Sequence, residues 1–203
     1  RDRAAGGARH ELAVVRMDLD TGTTELVSAP HDDLPAAEYL PTPRHRVFSS
    51  KDGREIPAYV YLPSNPDHAG EDGTKPPLLV TVHGGPTGKS SDVLKRDIAF
   101  FTSRGFAVVA VNYGGSAGYG RAFRESLNEQ WGVVDVHDCA TVAATLAEEG
   151  VVDKTRLAVR GGSAGGWTAA ASMTSVDTYA CATIMFPILD LTTWTDHGGE
   201  THD

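Results

Sequence analysis

The residue whose type and setting point most directly to chemistry is Ser163, which lies in the run GGSAGG of residues 161–166. A short apolar stretch at 157–159 precedes this run, and an apolar stretch that starts at Trp167 follows it. A strand, a sharp turn and a helix in that order are the setting in which G-x-S-x-G forms a nucleophile elbow, and glycine or alanine beside the serine leaves room for the turn. The pattern predicts that Ser163 is a nucleophile held above the carboxyl end of a parallel sheet.

A second serine has the same flanking residues, since GGSAG recurs at 114–118 around Ser116. Gly118 and Gly120 follow Ser116 closely, and two glycines at that spacing are unfavourable for opening a helix. This serine also comes one helix and one strand too early in the chain for an elbow. We therefore predict that Ser116 lies in a glycine-rich turn and that Ser163 is the nucleophile.

Acyl transfer by serine also needs hydrogen-bond donors for the oxyanion that develops in the transition state. The backbone N–H of Ala164, directly after the serine, is one candidate. The second is expected from the loop HGGP at 83–86, where Gly85 is the better donor because Pro86 has no N–H. Each such donor typically contributes about 3–4 kcal/mol of transition-state stabilisation. Taken alone, HGGP is equally compatible with a plain turn from a strand into a helix.

The acid and the histidine of a catalytic triad are not evident in the 40 residues that follow Ser163. In α/β-hydrolases the order along the chain is serine, then Asp or Glu, then His. One alternative is a local triad in which Asp190 orients His202 toward the serine. The preferred expectation is that both the Asp and the His lie beyond Asp203, so that the 203-residue chain by itself is nearly inactive. Five histidines lie neither in the HGGP loop nor near the C-terminus, and we expect them to be solvated or structural: His10, His31, His45, His68 and His137.

The composition narrows the classes of partner. The 203 residues carry a net charge of −9 and no basic cluster, so neither nucleic acid nor an anionic membrane surface is an expected partner. No apolar run approaches the roughly 20 residues that a membrane-spanning helix needs. No residue spacing indicates a metal or a cofactor, and none is expected. The two cysteines, Cys139 and Cys181, are expected to be buried free thiols of a cytoplasmic protein, with a disulfide as the alternative.

Hydrophobic patterning divides the chain into residues 1–40 and residues 41–203. The first part is predicted to be the end of a preceding β domain, with a hairpin at 11–28 and a proline-rich linker at 29–43. The second part begins with a hairpin and then alternates strands with helices, which implies a parallel sheet with right-handed crossovers. Its later predicted strands are 78–82, 106–111, 157–159 and 181–186. The predicted fold class is α/β, namely an α/β-hydrolase fold with a mostly parallel sheet that is incomplete at the C-terminus.

The strand at 181–186 ends this predicted sheet with an apolar edge, and an exposed edge of that kind needs covering. The chain also starts at Arg1, not at a methionine, and is expected to be a piece of a longer protein. We therefore expect a further segment or a second chain to complete the fold, with a homo-oligomer as one form of the latter.

Four motifs in order make the chain resemble the prolyl oligopeptidase family of serine peptidases, in particular its acylaminoacyl-peptidase and dipeptidyl aminopeptidase branch. The motifs are VHGGP at 82–86, VNYGGSAGYGR at 111–121, WGVVDVHD at 131–138 and RGGSAGG at 160–166. The resemblance implies a β-propeller before the hydrolase domain and hydrolysis of short peptides near their N-terminus. It also implies that Ser163 is the nucleophile and that Gly85 and Ala164 are the oxyanion donors.

One departure from the family pattern falls at Gly114, where the family often has an arginine after Asn112 and Tyr113, so any role of that side chain is absent here. Asp138 belongs to the third motif. Because it lies near the predicted start of a helix, we expect it to be a capping or first-turn residue and not part of the catalytic machinery. The resemblance implies that the family's triad Asp and His correspond to positions beyond Asp203.

Two other functions remain open at this point. A carboxylesterase on the same fold would share the nucleophile and the oxyanion hole. A non-catalytic fragment that binds peptides, or that pairs with a second chain, would lack a base for the serine proton. The hairpin at 11–28 favours the peptidase, because a β domain before the hydrolase domain accords with that family.

Overall fold

The computed structural model describes residues 2–28 and 33–190. The strands in these ranges are β1 (Asp2–Gly7), β2 (His10–Met17), β3 (Thr24–Ser28), β4 (Arg44–Ser49), β5 (Glu55–Tyr61), β6 (Leu78–Val82), β7 (Ala107–Val111), β8 (Leu157–Gly162) and β9 (Cys181–Met185). The helices are α1 (Arg96–Thr102), α2 (Arg121–Glu125), α3 (Val134–Glu148) and α4 (Ala164–Ser175), with one 3-10 turn at Ala37–Tyr39.

The first three strands form a small antiparallel sheet with β2 in the middle. The predicted hairpin at 11–28 is confirmed, and the carboxylate of Asp18 stabilises its turn by accepting the N–H groups of Asp20 and Thr21. Sequence patterning did not predict β1, because alanine and glycine make up most of its sequence DRAAGG and are poor strand formers. The N–H of Leu94 donates to the carbonyl of Gly7 and so ties this sheet to the rest of the chain.

The larger sheet has six strands in the order β4-β5-β7-β6-β8-β9. The four strands from β7 to β9 are mutually parallel, and the hairpin of β4 and β5 adds to them in antiparallel orientation. Parallel neighbours joined through helices are what the alternating pattern predicted, so the predicted α/β-hydrolase arrangement with a mostly parallel sheet is confirmed.

Both faces of the larger sheet are covered by helices. On one face Val80 and Val109 pack in the main core with residues of α3 and α4. On the other face Leu79 and Val108 pack with Ile98 of α1. Burial on both faces explains why the parallel strands read as unbroken apolar runs in the sequence.

The helix predicted from apolar positions between 136 and 146 is α3, which buries those positions against the sheet. Gly150, predicted as its C-terminal glycine, has φ +69° and so adopts the left-handed conformation that ends many helices. In the ranges that the structure describes, no helix combines the length and the apolar character needed to cross a membrane.

The edge of the sheet at β9 corrects one prediction. Cys139 and Cys181 are both free thiols, but only Cys139 is buried. The expectation that Cys181 is buried is wrong, because it begins the last strand of the described sheet and faces outward. Ile184 and Phe186 lie on and just after this strand and are 42% and 76% exposed. The apolar edge that patterning predicted is therefore present within residues 33–190.

Candidate active site

Ser163 lies where the chain turns from β8 into α4. Its backbone adopts φ 57° and ψ −123°, a strained combination for a residue that carries a side chain. The residue is the N-cap of α4, so the partial positive charge at the start of that helix faces the serine. The backbone therefore has the geometry that a nucleophile elbow requires.

Two glycines make this turn sterically possible. A Cβ atom on Gly161 would overlap the carbonyl group of Gly165, and a Cβ atom on Gly165 would overlap the carbonyl oxygen of Val82. Any larger residue at either position would force the backbone of the strand and the helix apart. This close approach is the physical reason for the two glycines of the G-x-S-x-G pattern.

A hydrogen bond fixes the backbone of Ser163, whereas its hydroxyl makes none within the described residues. The backbone N–H of Ser163 donates to the carbonyl of Met185 at 3.2 Å, which fixes the turn against the end of β9. Among residues 2–28 and 33–190, the hydroxyl itself has no hydrogen-bond partner, and the residue is half-buried. A hydroxyl in that state is free to attack a bound carbonyl group once a base removes its proton.

Strand order brings three loops side by side at the carboxyl ends of the parallel strands. Val82 at the end of β6 pairs with Gly161 of β8 on one side and with Val111 of β7 on the other. The HGGP loop at 83–86 is therefore flanked by the elbow and by the loop at 112–118. No sequence pattern states this order, which depends on pairing between strands far apart in the chain.

The HGGP loop passes directly against the serine. A Cβ atom built on Gly84 would lie 3.4 Å from Cβ of Ser163 and 3.9 Å from its Oγ atom. The next residue, Gly85, is exposed and has φ +131°, which strongly favours glycine, and its backbone packs against Gly88. Ala164, the other predicted donor, is the first residue of α4. The structure thus places Ser163 and Ala164 directly beside the loop that contains Gly85.

His83 and Ser116 support this loop from beneath. The ring of His83 stacks on Tyr113 with 4.4 Å between centroids, and its Nε2 lies 2.7 Å from Oγ of Ser116. Ser116 is fully buried, and its Oγ also lies 2.7 Å from the carbonyl oxygen of Tyr113, so its one proton is donated either to that oxygen or to Nε2 of His83. The hydroxyl of Tyr113 lies 3.0 Å from the carbonyl oxygens of both His83 and Pro86. The prediction that Ser116 lies in a turn is confirmed, and its hydroxyl is committed to the packing of that turn.

Sequence reasoning did not assign roles to His83 and Tyr113, although both belong to the quoted motifs. Burial lowers the pKa of His83 to about 4, so its ring is neutral at pH 7. A neutral imidazole that is held between Ser116 and the carbonyl of Gly84 is a structural support here. The available signal was the position of both residues at the ends of neighbouring predicted strands.

The pKa of His83 predicts a pH dependence of stability. The folded-state pKa of about 4 lies below the unfolded value of about 6.5, so the unfolded chain binds more protons between these two pH values. This histidine therefore makes the free energy of unfolding rise by about 3 kcal/mol from pH 4 to pH 6.5, with no further change above that range. Urea titrations of the parent protein and of His83→Gln at several pH values measure this contribution as the difference between the two curves. Parallel curves for the two proteins would contradict it.

The interpretation of Asp138 as a capping or first-turn residue is wrong. α3 begins at Val134, so Asp138 lies in its second turn, and its buried carboxylate binds both Nη atoms of Arg54 at 2.8 Å. The first-turn acid is Asp135, which accepts the N–H of Gly132 at 2.6 Å. Burial raises the pKa of the Asp135 carboxyl, and this effect outweighs the hydrogen bonds from Thr168 and Gly132, which lower it. The helix start lies earlier than the motif suggested, because Gly132 with φ +87° ends the preceding turn.

Within the described residues, no histidine or carboxylate forms a hydrogen bond with the hydroxyl of Ser163. The histidines expected to be solvated are exposed wherever the structure describes them: His10, His45, His68 and His137. His31 and His202 lie outside the described residues, so the local triad of Asp190 and His202 remains a prediction. Asp190 itself is exposed and follows β9. The candidate nucleophile and the candidate oxyanion donors thus lie in the same region, and no acid or base is assigned to them.

Comparison with known proteins shows which families and structures this chain resembles. The model of the prolyl oligopeptidase family matches residues 93–201, which include the elbow and the loop around Ser116. Dipeptidyl aminopeptidase BIII of Pseudoxanthomonas mexicana is 32% identical over 185 residues, which are 88% of this chain and 26% of that protein.

Two similar solved structures extend over nearly the whole chain. A crystal structure of a puromycin hydrolase is 53% identical with a TM-score of 0.92, and the match covers 100% of this chain and 30% of that one. A puromycin-hydrolyzing peptidase of Mycobacterium tuberculosis is 47% identical with a TM-score of 0.92, over 96% of this chain and 30% of that one. The chain therefore spans less than a third of the length of these relatives.

Proposed function

The chain belongs to the prolyl oligopeptidase family, and from that membership we propose that it supplies the nucleophile and the oxyanion hole of a serine peptidase. The observation that carries the proposal is the strained backbone of Ser163 beside the HGGP loop. Such strain costs about 1–3 kcal/mol and persists where a function depends on it. Here it keeps the hydroxyl out of the packed core and within reach of a substrate.

The chemistry follows from this arrangement. Oγ of Ser163 attacks the carbonyl carbon of the scissile amide, and its proton passes to a histidine base. The carbonyl oxygen becomes an oxyanion that accepts the N–H groups of Gly85 and Ala164. The C–N bond then breaks, the leaving amine takes the proton from the histidine, and an ester to Ser163 remains. Water activated by the same base hydrolyses that ester and regenerates the serine.

The base is proposed to come from a segment beyond Asp203, as the family resemblance implies. His83 is unsuited to the role, because its Nε2 atom faces Ser116 and its ring is buried. The same segment, or a second copy of the chain, is proposed to cover the exposed edge at β9, where Phe186 is 76% exposed. We also propose a cytoplasmic location, which the free thiols of Cys139 and Cys181 support.

The proposed substrates are short peptides and aminoacyl amides that are cleaved near a free N-terminus. The relatives named as an aminopeptidase and as puromycin hydrolases support this class. Puromycin is itself an aminoacyl amide with a free amino group, so one amide hydrolysis would serve both kinds of substrate. Nothing in the described residues favours an ester over an amide.

The test compares three substrates on the complete protein, which is proposed to include the triad segment. We expect turnover of an aminoacyl p-nitroanilide and of puromycin, and slower turnover of the N-acetylated anilide. Hydrolysis of p-nitrophenyl acetate alone would contradict the peptidase and support the carboxylesterase. Failure to cleave any of the three, with Ser163 unreactive toward a fluorophosphonate, would support the non-catalytic alternative.

A further inference from the structure

A buried ion pair links the hairpin of β4 and β5 to α3, on the far side of the loop at 112–118 from the serine. The guanidinium of Arg54 binds the carboxylate of Asp138 through two hydrogen bonds of 2.8 Å. The side chains of Arg54 and Asp138 are only 19% and 2% exposed. Two parallel N–H to O bonds fix both position and orientation, so this pair is a rigid joint between two elements.

The same carboxylate also holds the loop. Oδ2 of Asp138 accepts the backbone N–H of Gly114 at 2.8 Å, in addition to its bond with Arg54. A Cβ atom built on Gly114 would lie 3.0 Å from Nη1 of Arg54 and 2.6 Å from Cγ1 of Val134. The guanidinium of Arg54 and its neighbours therefore occupy the space into which a side chain at position 114 would project.

From Gly114 the contacts continue to the HGGP loop without a gap. Ser116, two residues further on, contacts Nε2 of His83 at 2.7 Å. Tyr113, one residue earlier, stacks on the His83 ring, and its hydroxyl lies 3.0 Å from each of the carbonyl oxygens on the two sides of the glycines. The turn at 114–116 is therefore connected to the two residues that flank Gly84 and Gly85, namely His83 and Pro86.

We propose that Arg54, in the turn between β4 and β5, is a positioning residue for the oxyanion hole. It acts through Asp138, Gly114 and Ser116 and touches no substrate. This inference rests on the proposed function only for its kinetic consequence, since the contacts that it describes do not depend on the reaction.

The chain offers a matched control in Arg46. This arginine lies on β4 of the same hairpin and binds Glu149, just after α3, through two hydrogen bonds of 2.7 and 2.8 Å. Its pair is more exposed, and in the described residues neither Arg46 nor Glu149 bonds to the loop at 112–118. Arg46→Ala therefore removes an ion pair between the same elements without touching the proposed path.

The kinetic experiment measures kcat and KM of Arg54→Ala and Arg46→Ala in the complete protein at a temperature at which both are folded. We expect kcat of Arg54→Ala to fall about 10- to 100-fold with KM within twofold, because small displacements of a donor act on the transition state. Methylguanidine at millimolar concentration should restore part of the lost kcat in Arg54→Ala. Arg46→Ala should keep both constants within twofold.

A second readout does not depend on activity. The ¹⁵N resonances of the His83 ring should shift in Arg54→Ala and stay unchanged in Arg46→Ala, because only the first variant loosens Ser116. Unchanged His83 resonances and an unchanged kcat, with only a lower midpoint of thermal unfolding, would overturn the inference. If the parent protein cleaves no substrate, the proposed function fails, and the His83 resonances still decide whether Arg54 holds the loop.

Discussion

In the complete protein, replacing Ser163 by alanine should lower kcat on an aminoacyl anilide by on the order of 10⁶-fold and should abolish fluorophosphonate labelling. The reason is that no covalent intermediate can form without the hydroxyl. The variant should fold as stably as the parent, because that hydroxyl has no hydrogen-bond partner in the described residues. The measurements are steady-state kinetics, mass spectrometry of the labelled protein and urea unfolding.

Two further variants test whether the loss of activity is due to the Ser163 hydroxyl itself. Ser175→Ala changes an exposed serine at the end of the same helix and should leave kcat within twofold. Ser163→Gly should be as inactive as the alanine variant but more stable by about 1 kcal/mol, since glycine relieves the strain at φ 57°. Labelling that persists in Ser163→Ala and disappears in Ser116→Ala would show that the wrong serine was assigned.

The second large effect is expected at Gly161. Alanine there should reduce the free energy of unfolding by about 3 kcal/mol or more, because its Cβ atom would overlap the carbonyl of Gly165, a backbone group that cannot swing away as a side chain could. The elbow would have to open, so activity should be lost together with stability. Urea unfolding and anilide turnover on the same preparation measure both quantities.

The neighbouring glycine supplies the control. A Cβ atom on Gly162 would meet Cζ of Phe186 at 2.8 Å, but this ring is 76% exposed and can move away. Gly162→Ala should therefore cost less than about 1 kcal/mol in the free energy of unfolding. Equal losses in Gly161→Ala and Gly162→Ala would mean that the steric account of the elbow is wrong.

Local patterns predicted well those features that neighbouring residues determine. The apolar runs predicted β6 and β7 because strands buried on both faces need no polar positions. Gly161 helped to predict the elbow because the clash that it avoids, with the carbonyl of Gly165, lies within five residues of chain, whereas the clash that Gly165 avoids is with Val82 of another strand. Two predictions failed where the cause was distant. Cys181 is exposed because β9 is the last strand of the described sheet, and Asp138 is held by an arginine 84 residues away.

The sequence by itself determined the strand, the sharp turn and the helix around Ser163, together with a loop rich in glycine after β6. These follow from backbone sterics and apolar periodicity, which act over a few residues. Only the tertiary structure decided that the loop at 83–86 lies between the elbow and the turn of Ser116, because strand pairing sets that order. It also decided that Ser116 supports His83, and that Arg54 reaches Asp138. Contacts of this kind join residues 30 or more positions apart and leave no periodic trace in the chain.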